Sequence, residues 1–206
     1  MYQYETRLHE EGYRFICGVD EAGRGPLAGP VVAGAVILNP NVLIEGLNDS
    51  KQLSEKTRNR LAEQIKEKAL AYSISFVSPE KIDEINIYQA SKLAMIEAIN
   101  TLSIHPDYIL TDAMPLIGQV IPFEAIIKGD CKSASIAAGS ILAKVARDEY
   151  MVKMASIYQG YGFEQHKGYP TKLHLAALNS LGITPIHRKS YHPVKLILEK
   201  QLSFDL

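Results

Sequence analysis

The stretch RFICGVDEAGRGPLAGPVVAGAVIL, residues 14–38, holds two short apolar runs rich in valine and isoleucine, 14–20 and 31–38. Each reads as a buried strand. Between them, EAGRGPLAGP carries three glycines and two prolines and reads as a loop. A parallel crossover needs a dozen or more residues, so the two strands are predicted to pair as an antiparallel hairpin. On paper, Gly23 to Ala28 fits the dinucleotide fingerprint G-x-G-x-x-A. That fingerprint requires a helix after the turn, and a second strand follows here instead, so the dinucleotide reading fails. The glycines instead let backbone groups come close to a ligand.

Outward from the hairpin, residues 54–68 read as a charged amphipathic helix with Ser54 as N-cap. LAYSISFV (70–77) alternates as a third strand. Residues 80–101 place Ile85, Tyr88, Ala90, Leu93, Ile96 and Ile99 at helical spacing, up to Pro106. DYILTD (107–112) and FEAIIKGD (123–130) are two more strands, each ending in aspartate. A long helix rich in small residues runs from Ser133 to about Tyr158. A loop at HKGYPT (166–171) leads into a helix starting at Pro170 or Thr171 and ended by Gly182, and a last helix follows Pro193. Strands separated by helices can pair in parallel, so a mixed five-stranded sheet flanked by helices is expected, an α/β fold.

The 206 residues are 47% hydrophobic and 22% charged, which suits a single globular domain. No apolar run approaches the roughly 18 residues of a membrane span, and the N-terminus is too polar for a secretory signal. Two cysteines, Cys17 and Cys131, exclude a disulfide framework and a four-cysteine zinc site. A cytoplasmic protein is expected. The net charge of −1 hides an asymmetry: residues 1–127 hold 11 Lys+Arg against 17 Asp+Glu, and residues 128–200 hold 11 against 5. An acidic half beside a basic half suits a protein that gathers cations in one place and a polyanion in another.

Four carboxylates mark the chemistry. Asp20 and Glu21 fall at the end of the first strand, Asp112 at the end of the fourth and Asp130 at the end of the fifth. Strand ends of one sheet converge, and sites gather there. A carboxylate in a run such as YILTDAM is costly without a partner, and Asp112 has no nearby cation in sequence. Oxygen-only ligands favour magnesium or manganese, and three or four carboxylates suffice for the two-ion geometry of phosphodiester hydrolysis. The competing reading is turn aspartates that cap backbone amides. In the small-residue helix, Ser133, Ser140, Lys144 and Arg147 fall within reach of a shared face; small residues let such a helix lie close against a sheet or a backbone, and the rival reading is a core helix with a solvated basic edge. His166, His174, His187 and His192 lack metal-ligand spacing and read as surface or phosphate-contacting groups.

GVDEAGRGPLAGPVVAGAVIL (18–38), NDSKQLS (48–54), ILTDA (109–113), IKGDCKSASIAAGSILAKVARD (127–148), HKGYPTKLH (166–174) and TPIHRKS (184–190) together resemble the bacterial type 2 ribonuclease H family, ribonuclease HII. The resemblance implies a single ribonuclease H-like domain over 1–206, with 170–200 as a C-terminal helical extension and 201–206 as a tail. It implies a metal site at Asp20, Glu21, Asp112 and Asp130 loaded with Mg2+ or Mn2+, ribonucleotide sensing by Gly23, Arg24 and Gly25, and a stacking role for Tyr169. Lys51, Lys144 and Arg147 are then expected to contact phosphate. The implied activity is cleavage of the RNA strand of RNA–DNA hybrids, and 5′ to a single ribonucleotide in duplex DNA, leaving 3′-hydroxyl and 5′-phosphate ends. A DNA-processing nuclease and a non-catalytic hybrid-binding protein are the rival readings. A monomer is expected. The ending Gln201-Leu202-Ser203-Phe204-Asp205-Leu206 resembles short peptides that bind the sliding clamp, with Phe204 where a leucine is more usual.

Overall fold

The computed structural model describes the backbone of residues 1–204 and the side chains of residues 1–199. The tail read as a clamp-binding peptide therefore lies outside the described side chains.

The hairpin forms as expected: β1 (Ile16–Ala22) pairs antiparallel with β2 (Val31–Ile37), with Asp20 opposite Gly34. β3 (Ala71–Val77) adds antiparallel to β2, while β4 (Tyr108–Asp112) and β5 (Phe123–Ile126) add in parallel on the other side of β1. The sheet order is β3-β2-β1-β4-β5. Helices cover both faces, which is why β1 and β2 are almost uniformly apolar and buried.

The helices, in chain order, are α1 (Gln3–Glu10), α2 (Glu55–Lys68), α3 (Pro79–Asn100), α4 (Ala134–Ile157), α5 (Phe163–His166), α6 (Lys172–Leu181) and α7 (His192–Phe204). Ser54, Ser78, Ser133 and Thr171 cap α2, α3, α4 and α6 with their side-chain oxygens. The two-residue period of β1 and β2 sorts their side chains. Cys17, Val19, Ala33 and Ala35 pack in one core with α3, whereas Val36 packs in a second core with α2 and α4. Asp20 and Gly34 lie on the α4 face.

The small residues of α4 permit unusually close packing on that face. A Cβ at Gly34 would stand 2.4 Å from the carbonyl oxygen of Gly139, and one at Gly139 would stand 2.5 Å from that of Gly34. Helix backbone thus touches strand backbone, and Ser140, one residue along, comes beside Asp20.

Two expectations are corrected, and one element was not foreseen. β5 ends at Ile126, so Asp130 does not end a strand; it sits four residues on, in a 3-10 turn at Gly129–Cys131. α3 is not continuous: Asn86 has φ 67°, and its side chain accepts a hydrogen bond from the Gln89 amide, 3.1 Å, capping a second helical segment. α1 was not foreseen. Its Glu5 is buried and accepts from the Ser133 hydroxyl (2.5 Å), the Ser135 amide (2.9 Å) and the Ser135 hydroxyl (2.6 Å), placing a negative charge at the α4 N-terminus.

Candidate active site

β1 delivers Asp20 and Glu21, the end of β4 delivers Asp112, and the 3-10 turn delivers Asp130. The two parallel strands bring the first and third together, and two strained residues aim the rest. Ala113, directly after Asp112, has φ 53°, and Lys128, two before Asp130, has φ 57°. The Gly129 amide donates to Asp112 Oδ1 at 2.7 Å, tying the turn to the strand end.

Carboxylate oxygens of Asp20, Asp112 and Asp130 all lie within 4.8 Å of one another. Asp20 and Asp130 are buried. Asp20 Oδ1 accepts from the Glu21 amide at 2.7 Å, and the Ser140 hydroxyl lies close enough to its carboxylate to favour the charged form. Ser140 in turn meets the Ser50 hydroxyl at 3.0 Å, linking the loop before α2 to the carboxylates. Burial, then the charges of Glu21 and Asp112, push the Asp20 pKa well above the usual carboxylate range. Burial also raises Glu21, against the pull of Arg24, and raises Asp130 together with Asp112 and Asp49. Lys51 feels the opposite field: desolvation lowers its pKa, but Asp20, Asp49, Asp130 and Asp112 outweigh that and raise it.

Glu21 stands slightly apart. Its Oε1 faces Arg24 Nη1 at 3.2 Å, and its Oε2 is buried with no hydrogen-bond partner. An orphaned carboxylate oxygen beside three crowded carboxylates is an arrangement that protein groups alone leave unbalanced. The donors are all oxygen, so the residues fit a hard divalent cation. Asp49, Asp130 and the exposed Cys131 form a second grouping at the rim that shares Asp130.

Next to the carboxylates lies the Gly23–Gly25 turn, backed by two buried arginines. Arg188 donates to the carbonyls of Gly23 (2.6 Å), Arg24 (3.0 Å) and Gly29 (3.0 Å). Arg147 donates to Ala28 (3.0 Å), Pro30 (3.1 Å) and Lys167 (3.0 Å). Both have 0% exposure. Burial, then the neighbouring Arg188, lowers the Arg147 pKa to about 10. The expectation that Arg147 contacts phosphate is therefore corrected. Its nitrogens are spent on backbone carbonyls, and Gly23 (φ 99°) leaves it room, since a Cβ there would fall 2.2 Å from its Nε. Arg188 was missed: one arginine in IHRKSY carries no periodicity that would mark it as buried.

Tyr169 borders the same turn. A Cβ at Gly25 would sit 3.8 Å from its ring, and Tyr169 as a residue is 40% exposed. Lys144 Nζ lies 5.9 Å from the ring centroid and bonds Asp148 Oδ1 at 2.7 Å, and Arg147 lies 5.8 Å from the ring on its inner side. Lys51 and Arg24 are exposed. Ser133, sharing a face with Ser140 and Lys144 in sequence, is buried as the α4 cap. The histidine expectation is corrected too. His166, His174 and His187 are buried against Tyr161 and Phe163, because the loop before α6 folds over α5, and of the four only His192 is exposed.

Comparison with known proteins shows the family and the fold. The family model described as Ribonuclease HII matches residues 17–194. A Ribonuclease HII of Bacillus anthracis is 54% identical over 200 residues, covering 97% of this chain and 77% of the relative. Among solved structures, ribonuclease H2 of Pyrococcus horikoshii superposes with a TM-score of 0.76 at 26% identity, covering 91% of this chain and 98% of that one. The RNase HII of a PCNA:RNase HII complex from Archaeoglobus fulgidus reaches 0.69 at 26% identity, covering 86% and 95%. No helix among the described residues is long and apolar enough to cross a membrane. With the mixed sheet, the oxygen-donor cluster and a family match over most of its length, the chain belongs to the ribonuclease HII family and is a metal-dependent ribonuclease.

Proposed function

We propose that this protein hydrolyses the RNA strand of RNA–DNA hybrids and also cuts 5′ to a single ribonucleotide embedded in duplex DNA, leaving 3′-hydroxyl and 5′-phosphate ends. The observation that carries the reading is adjacency. The carboxylates of Asp20, Asp112 and Asp130 converge beside a glycine turn that itself borders an exposed tyrosine. Asp20, Glu21, Asp112 and Asp130 would hold Mg2+ or Mn2+. A pair of such ions, when bound, supplies Lewis acidity toward the phosphodiester and stabilises charge in an in-line displacement.

The chain's own residues do the rest. The Glu21 amide orients Asp20, with Ser140 beside it, and the Gly129 amide orients Asp112. The Gly23–Gly25 turn brings backbone groups close to a sugar, where a 2′-hydroxyl distinguishes RNA from DNA. Tyr169 offers a ring face for stacking at the junction. Lys51 and Lys144 contact phosphate, which fixes register without reading sequence. The protein acts as a cytoplasmic monomer. The tail Gln201–Leu206 docks on a sliding clamp, a reading supported by its sequence and by the Archaeoglobus fulgidus complex with PCNA. Binding of the full chain to the clamp of the same organism, lost on truncation after Lys200, tests it; binding that survives truncation refutes it.

An end-labelled duplex with one ribonucleotide, incubated with the protein and Mg2+, tests the main reading. Cleavage 5′ to the ribonucleotide is expected. Cleavage elsewhere supports a DNA-processing nuclease, and a gel shift without cleavage a binding protein.

A further inference from the structure

Behind the loop that presents Tyr169 lie three buried imidazoles. His166 and His174 stack with ring centroids 4.5 Å apart and planes 13° off parallel, and Phe163 stands edge-on to both. His174 Nε2 meets His187 Nε2 at 3.0 Å. The partners leave one proton arrangement. The Thr184 amide can only donate, so His187 Nδ1, 2.8 Å away, accepts and its Nε2 carries hydrogen. That hydrogen points at His174 Nε2, which therefore accepts. His174 Nδ1 then carries hydrogen and donates to the Tyr169 carbonyl at 3.0 Å. Independently, His166 Nδ1 accepts from the Gly168 amide at 3.1 Å, and its Nε2 donates to the Tyr161 carbonyl at 2.8 Å. Both nitrogens of each ring are thus engaged, so the cluster is not a set of free metal ligands.

The chain of bonds ends at Tyr169 and at Leu27 and Ala28, just after the glycine turn. The Tyr169 amide donates to the His166 carbonyl at 2.9 Å, and the Gly168 carbonyl accepts from the Leu27 amide at 2.8 Å. His187 itself bridges to Ala28, and the Arg188 amide donates to the Leu27 carbonyl at 2.8 Å. Every residue of this path sits on a loop or at a helix end, where the fold alone does not fix a ring within the tolerance that recognition needs.

We propose that His174, held in its Nδ1–H tautomer by His187, is a positioning residue for Tyr169, and that this pair couples the Tyr169 loop to the Leu27–Ala28 segment that follows the glycine turn. It acts through Tyr169 and does not touch substrate. The proposal deepens the reading of Tyr169 as the group that meets the junction, and rests on it.

A double-mutant cycle with the full chain and the single-ribonucleotide duplex tests it. His174→Phe keeps the stack but cannot donate. It should lower kcat/KM about tenfold in the wild-type background, the worth of one net hydrogen bond, and less than about twofold in a Tyr169→Ala background, since a shared pathway is non-additive. His174→Asn, whose amide nitrogen falls near the Nδ1 position, should recover activity to within about threefold of wild type, with no need to match its melting temperature. Equal fold losses in both backgrounds, or an Asn variant as impaired as the Phe variant, overturn the positioning role alone. A Tyr169→Ala protein that cuts like wild type overturns the reading of Tyr169 and this proposal with it. If His174→Phe does not fold, nitrogen-detected imidazole NMR of the wild-type protein decides: hydrogen on Nδ1 of His174 and Nε2 of His187 supports the proposal, and the reverse tautomers overturn it.

Discussion

Arg147 gives the sharpest energetic test. Arg147→Met keeps most of the apolar stem and removes three donors at once, to Ala28, Pro30 and Lys167. Hydrogen bonds from a charged donor are worth about 1.5–3 kcal/mol each, and a buried carbonyl left bare costs about as much. Against this stands the cost of the native cation, which has no carboxylate partner among these bonds and lies near a second guanidinium. A pKa lowered from 12.5 to about 10 corresponds to roughly 3 kcal/mol of that cost. The carbonyls win, and a net loss of about 3–5 kcal/mol is expected, comparable to breaking a buried ion pair. Arg147→Lys keeps the charge but cannot span three acceptors, so it should recover less than half of the loss. Urea unfolding followed by circular dichroism measures both. Because the arginine backs the glycine turn, kcat/KM for the single-ribonucleotide duplex should also fall further than the folded fraction does. A Met variant destabilised by less than about 1 kcal/mol would refute the view that these carbonyls depend on the cation.

In metal-free protein at pH 7, Asp20→Asn should raise the melting temperature by about 2–4 °C per kcal/mol of relieved desolvation and repulsion. Because the folded pKa of Asp20 is raised, wild type takes up a proton and closes the gap as pH falls; an Asn variant that melts lower at pH 7 refutes this. Burial lowers His174 to about 4 and His187 to about 3, so stability is full above the unfolded value of 6.5 and declines as pH drops toward those values. Below pH 6.5 the wild-type slope should exceed that of His174→Asn by up to about 1.4 kcal/mol per pH unit, and equal slopes in urea titrations at pH 6.5, 5.5 and 4.5 refute it. Gly139→Ala puts a methyl 2.5 Å from the Gly34 carbonyl oxygen and should cost about 1–3 kcal/mol, with loss of cleavage as Ser140 moves off Asp20. A variant with unchanged melting and activity contradicts the backbone contact.

The hairpin, the caps and the small-residue helix were legible because their signals are local. Loop length decides the pairing of β1 with β2, Ser54 and Ser133 mark helix starts, and glycines recur where α4 meets β2. Three carboxylates could be placed together because β1 and β4 are neighbours in register. Asp130 was misplaced because the turn that carries it depends on Lys128 adopting positive φ and on a bond to Asp112, neither of which leaves a pattern in FEAIIKGD. Arg147 and the histidines were read as exposed, and Arg188 was passed over, because polarity is an average rule. Their burial depends on carbonyls and rings supplied by segments far away in sequence, such as Gly23 for Arg188 and Thr184 for His187. Glu5 escaped notice because α1 is a polar helix, and only its contact with the α4 N-terminus gives it a role.

The central claim is that Asp20, Glu21, Asp112 and Asp130 act as one metal-dependent centre for cutting at ribonucleotides. Single-turnover cleavage of the single-ribonucleotide duplex by wild type and by Asp112→Asn, in Mg2+ and in Mn2+, tests it most directly when the melting temperature of each protein is measured alongside. The account predicts rapid cleavage 5′ to the ribonucleotide by wild type in at least one of the two ions, none after chelation, and at least about a hundredfold slower cleavage by a folded Asp112→Asn. A folded Asp112→Asn protein that cuts within about threefold of wild type, or wild-type cleavage that persists in chelator, would contradict it.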